Sequence, residues 1–304
     1  MTALDIADEV SDALTEGRPV VAMESTIYSN LGLPSPDNAE ALRRCEAAVR
    51  SLGATPAVTA VLDGRPTVGL VGSQVERVLA ASAKVAERDL AVAVGQRWVV
   101  GVTTVSASVA LAAAAGIHVF ATGGIGGVHR GSELSGDVSA DLGAIARHPV
   151  VVVSAGAKAF LDLPKTLEVL ETLSVPVLGW HTDQFPGFYV RDSGSAVGHR
   201  VESASQVASI HQARVSLGGG GLLLAVPIPL GDELDPLRLT AALDEALAAV
   251  AERGLAGPEV TPMLLAAIGR ATGGDSVPAN LALAAHNAQV AAEVAVALAT
   301  LMSP

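Results

Sequence analysis

Apolar residues along this chain fall into two kinds of run that alternate from end to end. Short unbroken stretches such as Val150-Val151-Val152-Val153 read as strands buried on both faces. Longer stretches with apolar positions three and four apart read as helices. The pattern predicts strands at 19–23, 90–94, 117–121, 149–153, 176–180 and 221–226. It predicts helices near 73–81, 103–115, 164–173, 203–215 and 238–252. Ser35-Pro36 reads as a cap that opens a helix running to about Leu52, with Gly53 as its stop. Residues 57–62 and 67–70 flank Asp63-Gly64, a hairpin signature. The last fifty residues read as helical, with an amphipathic alanine-rich stretch from Asn280 to Met302. This alternation predicts an α/β fold, a single-domain α/β/α layered arrangement around a mostly parallel central sheet. No linker or charge run divides residues 1–304, so one domain is expected. Three glycine-rich turns, at 122–127, 217–221 and 272–274, share no longer register and are not a repeat.

Composition narrows the partners. Half of the 304 residues are apolar and 3 % are aromatic, so core volume comes from many small side chains. A net charge of −12 argues against a nucleic-acid backbone or an anionic membrane surface as partner. An anionic small molecule remains compatible, because the field at a site is local. Cys45, the single cysteine, excludes an intrachain disulfide and a cysteine-rich zinc site, and fits a reducing compartment. Residues 102–121 have the length of a membrane span. Thr103, Thr104, Ser106, Ser108 and Gly116 instead predict a buried helix followed by a strand. Asp5, Asp8 and Glu9 stand where a signal peptide would be apolar, and a soluble cytoplasmic protein is expected.

In open α/β sheets, ligands bind beyond the carboxyl ends of the strands. Three segments put chemistry there. Lys158 follows the valine strand after the small-residue turn Ser154-Ala155-Gly156-Ala157. Partial burial would lower the pKa of such an amine and free it as a nucleophile or Schiff-base former; the plainer alternative is that its head reaches solvent or caps a carboxylate. Glu24-Ser25-Thr26 closes another strand, as an acid–base group beside hydroxyls or as a capping device. Thr122-Gly123-Gly124-Ile125-Gly126-Gly127 closes a third and runs into His129-Arg130. Its glycines would let backbone N–H groups approach an anion, though a tight turn explains many such runs. It is not a dinucleotide fingerprint, since that would need glycine at His129.

Further along, Asp137 reads as a helix N-cap with Asp141 one turn later, or the two acids bind a hard divalent cation through oxygen. Thr272-Gly273-Gly274-Asp275-Ser276 opens the last helix, either as an anion site at its N-terminus or capped by Asp275 or Ser276. Lys84 reads as a solvated lysine, and His118, His181 and His286 show no ligand spacing.

In their order these motifs carry a resemblance. Val21-Ala22-Met23-Glu24-Ser25-Thr26-Ile27, Phe120 to Gly131, Asp137 to Leu142, Ser154 to Lys158, and Thr272 to Ser276 together resemble the pseudouridine-5'-phosphate glycosidase (indigoidine synthase A-like) family over residues 15–300. The resemblance implies reversible cleavage of the C–C glycosidic bond of pseudouridine 5'-phosphate to uracil and ribose 5-phosphate. It implies Lys158 as nucleophile through a Schiff base, Glu24 as proton donor, and Asp137 holding one manganese ion per subunit, with Asp141 near it. Lys84, Val105, Thr122, His129, Ser139, Ala140, Asp141 and Asn280 would contact substrate, and the protein would be a homotrimer. Two alternatives stay open: a Schiff-base lyase on another sugar phosphate, and a sugar-phosphate-binding protein without turnover. Departures from the family pattern lie after Glu24, where Ser29-Asn30-Leu31-Gly32-Leu33-Pro34-Ser35-Pro36 lacks the histidine of the family's His-Gly pair and is one residue longer, and at Val226, where the family often has asparagine.

Overall fold

A computed structural model describes residues 4–252 and 260–302. The strands are β1 (Asp5–Ile6), β2 (Val20–Met23), β3 (Thr55–Leu62), β4 (Arg65–Val68), β5 (Lys84–Val85) and β6 (Val100–Thr103). They continue with β7 (Val119–Ala121), β8 (Val151–Ser154), β9 (Val177–Trp180), β10 (His199–Val201) and β11 (Leu222–Ala225). The helices are α1 (Asp8–Thr15), α2 (Asp37–Ser51), α3 (Ser73–Leu79), α4 (Leu90–Gly95), α5 (Val105–Ala114) and α6 (Ser132–Ser135). After them come α7 (Ala140–Arg147), α8 (Leu163–Thr172), α9 (Ala204–Ser216), α10 (Pro236–Glu252), α11 (Val260–Ala271) and α12 (Ser276–Met302).

The sheet runs in the order β1-β4-β3-β2-β7-β8-β11-β9-β10. From β3 to β10 every neighbouring pair is parallel. β3 changes partners halfway: Thr55–Val58 lie parallel to β2, whereas Thr59–Leu62 run antiparallel to β4, with β6 antiparallel along Ala60–Leu62. The mostly parallel α/β arrangement is therefore as the sequence predicts. Strands buried on both faces need helices on each side. α12 lies against β2, β7 and β8 with α2 and α9 beside it, and α5 packs with α7 along the sheet from the other side. Val150–Val153 are fully buried. Each such valine is worth roughly 1.5–3 kcal/mol relative to exposure.

Four expectations need correction. Residues 90–94 form helix α4, not a strand; only Ala93 is buried there, and Asp89 accepts a hydrogen bond from Ala86 N to close the turn that starts it. The strand belongs to Val100–Thr103, because the sheet edge is completed by pairing with β3 and β5. A short Val/Ala alternation suits either structure until its neighbours are known. Helix α2 has no side-chain cap at Ser35 or Pro36; its first amides turn instead to the carbonyls of Pro34 and Pro36. Helix α7 begins at Ala140, and its N-cap is Ser139, whose hydroxyl accepts from Asp141 N, rather than Asp137. Helix α12 starts at Ser276 and buries residues on successive positions such as Val290, Ala291 and Ala292, so it is a core helix rather than an amphipathic one. It is long and apolar enough to cross a membrane, but 61 % of its apolar window is buried inside the molecule.

Candidate active site

β2, β7 and β8 are consecutive strands, with Met23 level with Ala121 and Ala121 level with Val153. Their carboxyl ends therefore deliver Glu24, Thr122 and the turn before Lys158 to one edge of the sheet. Ser154-Ala155-Gly156-Ala157 makes that turn by placing Gly156 in the left-handed region (φ +74), which a β-carbon would strain. Three backbone hydrogen bonds then lace it to the glycine loop: Ala155 N to Gly123 O (2.9 Å), Ile125 N to Gly156 O (3.1 Å) and Lys158 N to Ile125 O (3.1 Å). The Lys158 backbone is thus fixed, while its partly exposed side chain has no hydrogen bond or ion pair among the described residues.

Glu24 is buried, and Thr122 Oγ1 donates to its Oε1. Burial raises the Glu24 pKa against the lowering pull of Lys158 and of the Thr122 bond. A larger fraction of this acid is then protonated at neutral pH than for a solvated glutamate. Its chain direction is set from below: Ser25 N and Thr26 N both donate to Thr103 O (3.3 and 3.1 Å), and Thr103 N donates to Ser25 Oγ (2.8 Å). Thr59, Thr103 and Ser108 continue this buried hydroxyl network.

Lys84 is exposed on the short strand β5, yet its ammonium pKa is lowered, by burial of its surroundings first and then by the charge of Lys158. Asp141 and Glu24 oppose that shift, so the four charges share one field. Asp141 is buried, and its oxygens accept from Ser106 N (2.9 Å) and Gly126 N (2.8 Å). It clasps the first turn of α5, where Val105 sits, to the glycine loop. Gly126 lies so close to Ser139 that a β-carbon there would overlap the serine side chain.

His129 and Asp137 stand across a short ladder, with His129 N donating to Asp137 O (3.1 Å) and the ring Nδ1 3.9 Å from Asp137 Oδ2. Burial lowers the His129 pKa; Asp137 pulls it up, and Lys158 and Lys84 push it down. Asp137 is 41 % exposed. The two acids expected to act as a pair are therefore separated in role: Asp141 is committed to backbone amides and Asp137 faces His129. Among the described residues no group of three or more His, Cys, Asp or Glu could hold a metal ion. One half-exposed carboxylate suits a hard ion only if water and substrate oxygens complete the coordination.

Asn280 reaches the site from α12. Its Oδ1 is buried beside Gly123 and has no partner among the described residues. Ala140 is the exposed first residue of α7 between Ser139 and Asp141. The 272–274 turn joins α11 to α12, and α12 is opened by neither Asp275 nor Ser276: the Thr272 hydroxyl accepts from Ser276 N (3.3 Å). Sequence reasoning missed Thr59, Thr103, Ser108, the Ser106 amide, and Phe188, whose ring closes on Gly124. It also missed Asn287, which the spacing of seven from Asn280 on one helix face could have flagged.

The fold and this edge define an α/β enzyme that brings a lysine side chain and a buried acid together at the mouth of a parallel sheet. The chain belongs to the family described as indigoidine synthase A like protein, whose family model matches residues 9–297. It is 50 % identical to the pseudouridine-5'-phosphate glycosidase of Herpetosiphon aurantiacus over 98 % of this chain and 99 % of that one. It is 48 % identical to the enzyme of the same name from Sorangium cellulosum, over 98 % and 94 %. Among solved structures it is similar to the prealnumycin C-glycosynthase AlnA in complex with ribulose 5-phosphate (TM-score 0.92, 38 % identity, 99 % and 98 % covered). An indigoidine synthase A-like protein from Thermotoga maritima matches at TM-score 0.88 and 34 % identity, over 98 % and 97 %.

Proposed function

We propose that this protein cleaves the C–C glycosidic bond of pseudouridine 5'-phosphate, reversibly, to uracil and ribose 5-phosphate. The observation that carries the reading is the amine of Lys158, unpartnered among the described residues, beside a buried Glu24 whose pKa burial raises, in a chain half identical to enzymes of that name. A carbon leaving group departs only when its ring carbon is protonated, so the reaction needs both an electron sink at C1' and a mobile proton. Lys158 Nζ attacks C1' as the C1'–O4' bond breaks, and Glu24 gives its proton to O4'. The Glu24 carboxylate then takes a proton from Nζ and passes it to C5 of uracil. The nitrogen lone pair forms the C1'=N bond while the C1'–C5 electrons return to the uracil ring. Water hydrolyses the imine and releases ribose 5-phosphate. A lysine so replaces the carboxylate pair of ordinary glycosidases.

Lys84 supplies positive charge for the phosphate, and the His129 ring, which burial favours in its neutral form, supplies an N–H donor. Thr122, Val105 and the Ser139–Asp141 turn line the substrate, and the free Oδ1 of Asn280 accepts from a substrate N–H or hydroxyl. Asp137 would hold a manganese ion, which as a hard cation supplies charge neutralisation for substrate oxygens. The reading extends to one domain over 1–304, a homotrimer and a cytoplasmic location.

Two measurements test it. Uracil release from pseudouridine 5'-phosphate is expected, and borohydride in the presence of ribose 5-phosphate should trap an adduct at Lys158 in the mass spectrum. Trapping with no uracil release would favour a Schiff-base lyase on another sugar phosphate, a reading supported by the ribulose 5-phosphate held by AlnA. Neither signal, with ligand binding retained, would favour a binding protein. For the metal, Asp137→Ala should shift the manganese titration of activity to higher concentration; an unchanged titration removes Asp137 as the ligand.

A further inference from the structure

Asn287 lies two turns beyond Asn280 on α12 and is buried. Its Nδ2 donates to Thr122 O (2.8 Å) and to Gly123 O (3.1 Å). Two carbonyl partners fix which way the amide faces, since only its NH2 end can serve both. Its Oδ1 is left buried and without a partner among the described residues, so the side chain keeps an unmet acceptor while making this clasp. Among the described residues, the Thr122–Gly123 backbone it grips is otherwise held by bonds that extend the sheet, from Thr122 N to Val153 O (3.0 Å) and from Ala155 N to Gly123 O (2.9 Å). Asn287 adds the restraint from the helix side. Thr122, at the start of that peptide, spends its hydroxyl on Glu24.

We propose that Asn287 is a positioning residue: by holding the Thr122–Gly123 peptide from α12, it sets the Thr122 hydroxyl against Glu24 and so governs proton transfer. The proposal rests on the reading that Glu24 moves protons between Lys158, the sugar and uracil.

The test is the pH profile of kcat and KM for pseudouridine 5'-phosphate in wild type, Asn287→Ala, Asn287→Asp, Thr122→Ala and the Thr122→Ala/Asn287→Ala double variant. The Thr122 bond lowers the Glu24 pKa. Loosening it should move the limb governed by Glu24 to higher pH. Asn287→Ala should lose about 10- to 100-fold in kcat with KM within about threefold, and the double variant should be no worse than Thr122→Ala alone. Asn287→Asp keeps the shape but turns an acceptor toward two carbonyls, so it should lose activity as pH rises. Independent, additive losses, or a wild-type limb in Asn287→Ala, would overturn the proposal. If Asn287→Ala does not fold, the isosteric Asn287→Asp is read in its place, and failure of both to fold would make Asn287 a core residue and overturn it too. Wild-type protein that releases no uracil counts against the functional reading itself; release by wild type with an unmoved limb in the variants counts against this proposal alone.

Discussion

The loop at 122–127 and the turn at 272–274 both place paired glycines after a structured element, and they use them for different reasons. None of Gly123, Gly124, Gly126 and Gly127 has a positive φ. Three of them are small because something else is close: the Phe188 ring at Gly124, Ser139 at Gly126, and Thr166 at Gly127. Gly274 has open space around it and Gly273 has only the end of the Arg238 side chain at 4.0 Å, but their φ values are +66 at Gly273 and +95 at Gly274. One loop needs glycine for volume, the other for backbone shape. Volume is in short supply where strand ends, α7 and α8 converge on a site; shape is what a chain reversal between two helices requires.

That contrast can be broken or sharpened by experiment, beginning with the residue the first loop supports. Lys158→Ala should lower turnover by about 10⁴-fold or more while leaving thermal stability near wild type, because the amine holds nothing in the fold. Activity close to wild type would remove the site from this loop altogether. Glu24→Gln should lose about 10²- to 10⁴-fold in kcat, measured as uracil release. The glycines come next. Gly126→Ala should lose about 100-fold in activity by displacing Ser139 and Asp141, with a stability loss of about 1–3 kcal/mol in chemical denaturation. Gly274→Ala should lose about 1–2 kcal/mol from its left-handed backbone with kcat unchanged. Equal activity losses in the two variants would dissolve the distinction.

An effect on acid stability, with none on turnover at neutral pH, is expected away from the strand ends that carry Glu24 and Lys158. His211 packs edge-on to His118, ring centroids 5.8 Å apart, with both ring nitrogens buried and without a hydrogen-bond partner among the described residues. Burial first, and then the charges of His118 and Arg214, push its pKa down to about 4. A folded pKa below the unfolded one makes this stabilisation complete above about pH 6.5 and lost as pH falls toward 4. The loss is about 3 kcal/mol at most. Melting temperatures at pH 7 and 4.5 should fall less in His211→Leu than in wild type, and parallel falls would contradict the assignment.

Much of this was readable in the chain. The valine run, the glycine loop and the strand-end positions of Glu24, Thr122 and Lys158 are local patterns, and each lies where the alternation predicts. Residues 90–94 misled because five consecutive apolar residues carry no sign of whether a sheet edge awaits them. Asp137 and Asp141 look alike as sequence; only one of them meets two backbone amides. Asn287 and Thr103 are ordinary polar residues until the elements they bridge are brought together.

The sequence by itself determined which segments bury both faces, where each strand ends and what chemistry sits at those ends, because burial period and residue type are properties of a single segment. Only the tertiary structure decided that β2, β7 and β8 lie side by side, that Asp141 is a clasp and Asp137 is left open, and that α12 reaches the glycine loop through Asn287. Those outcomes depend on which segments share buried surface and hydrogen bonds, and that is settled between distant parts of the chain.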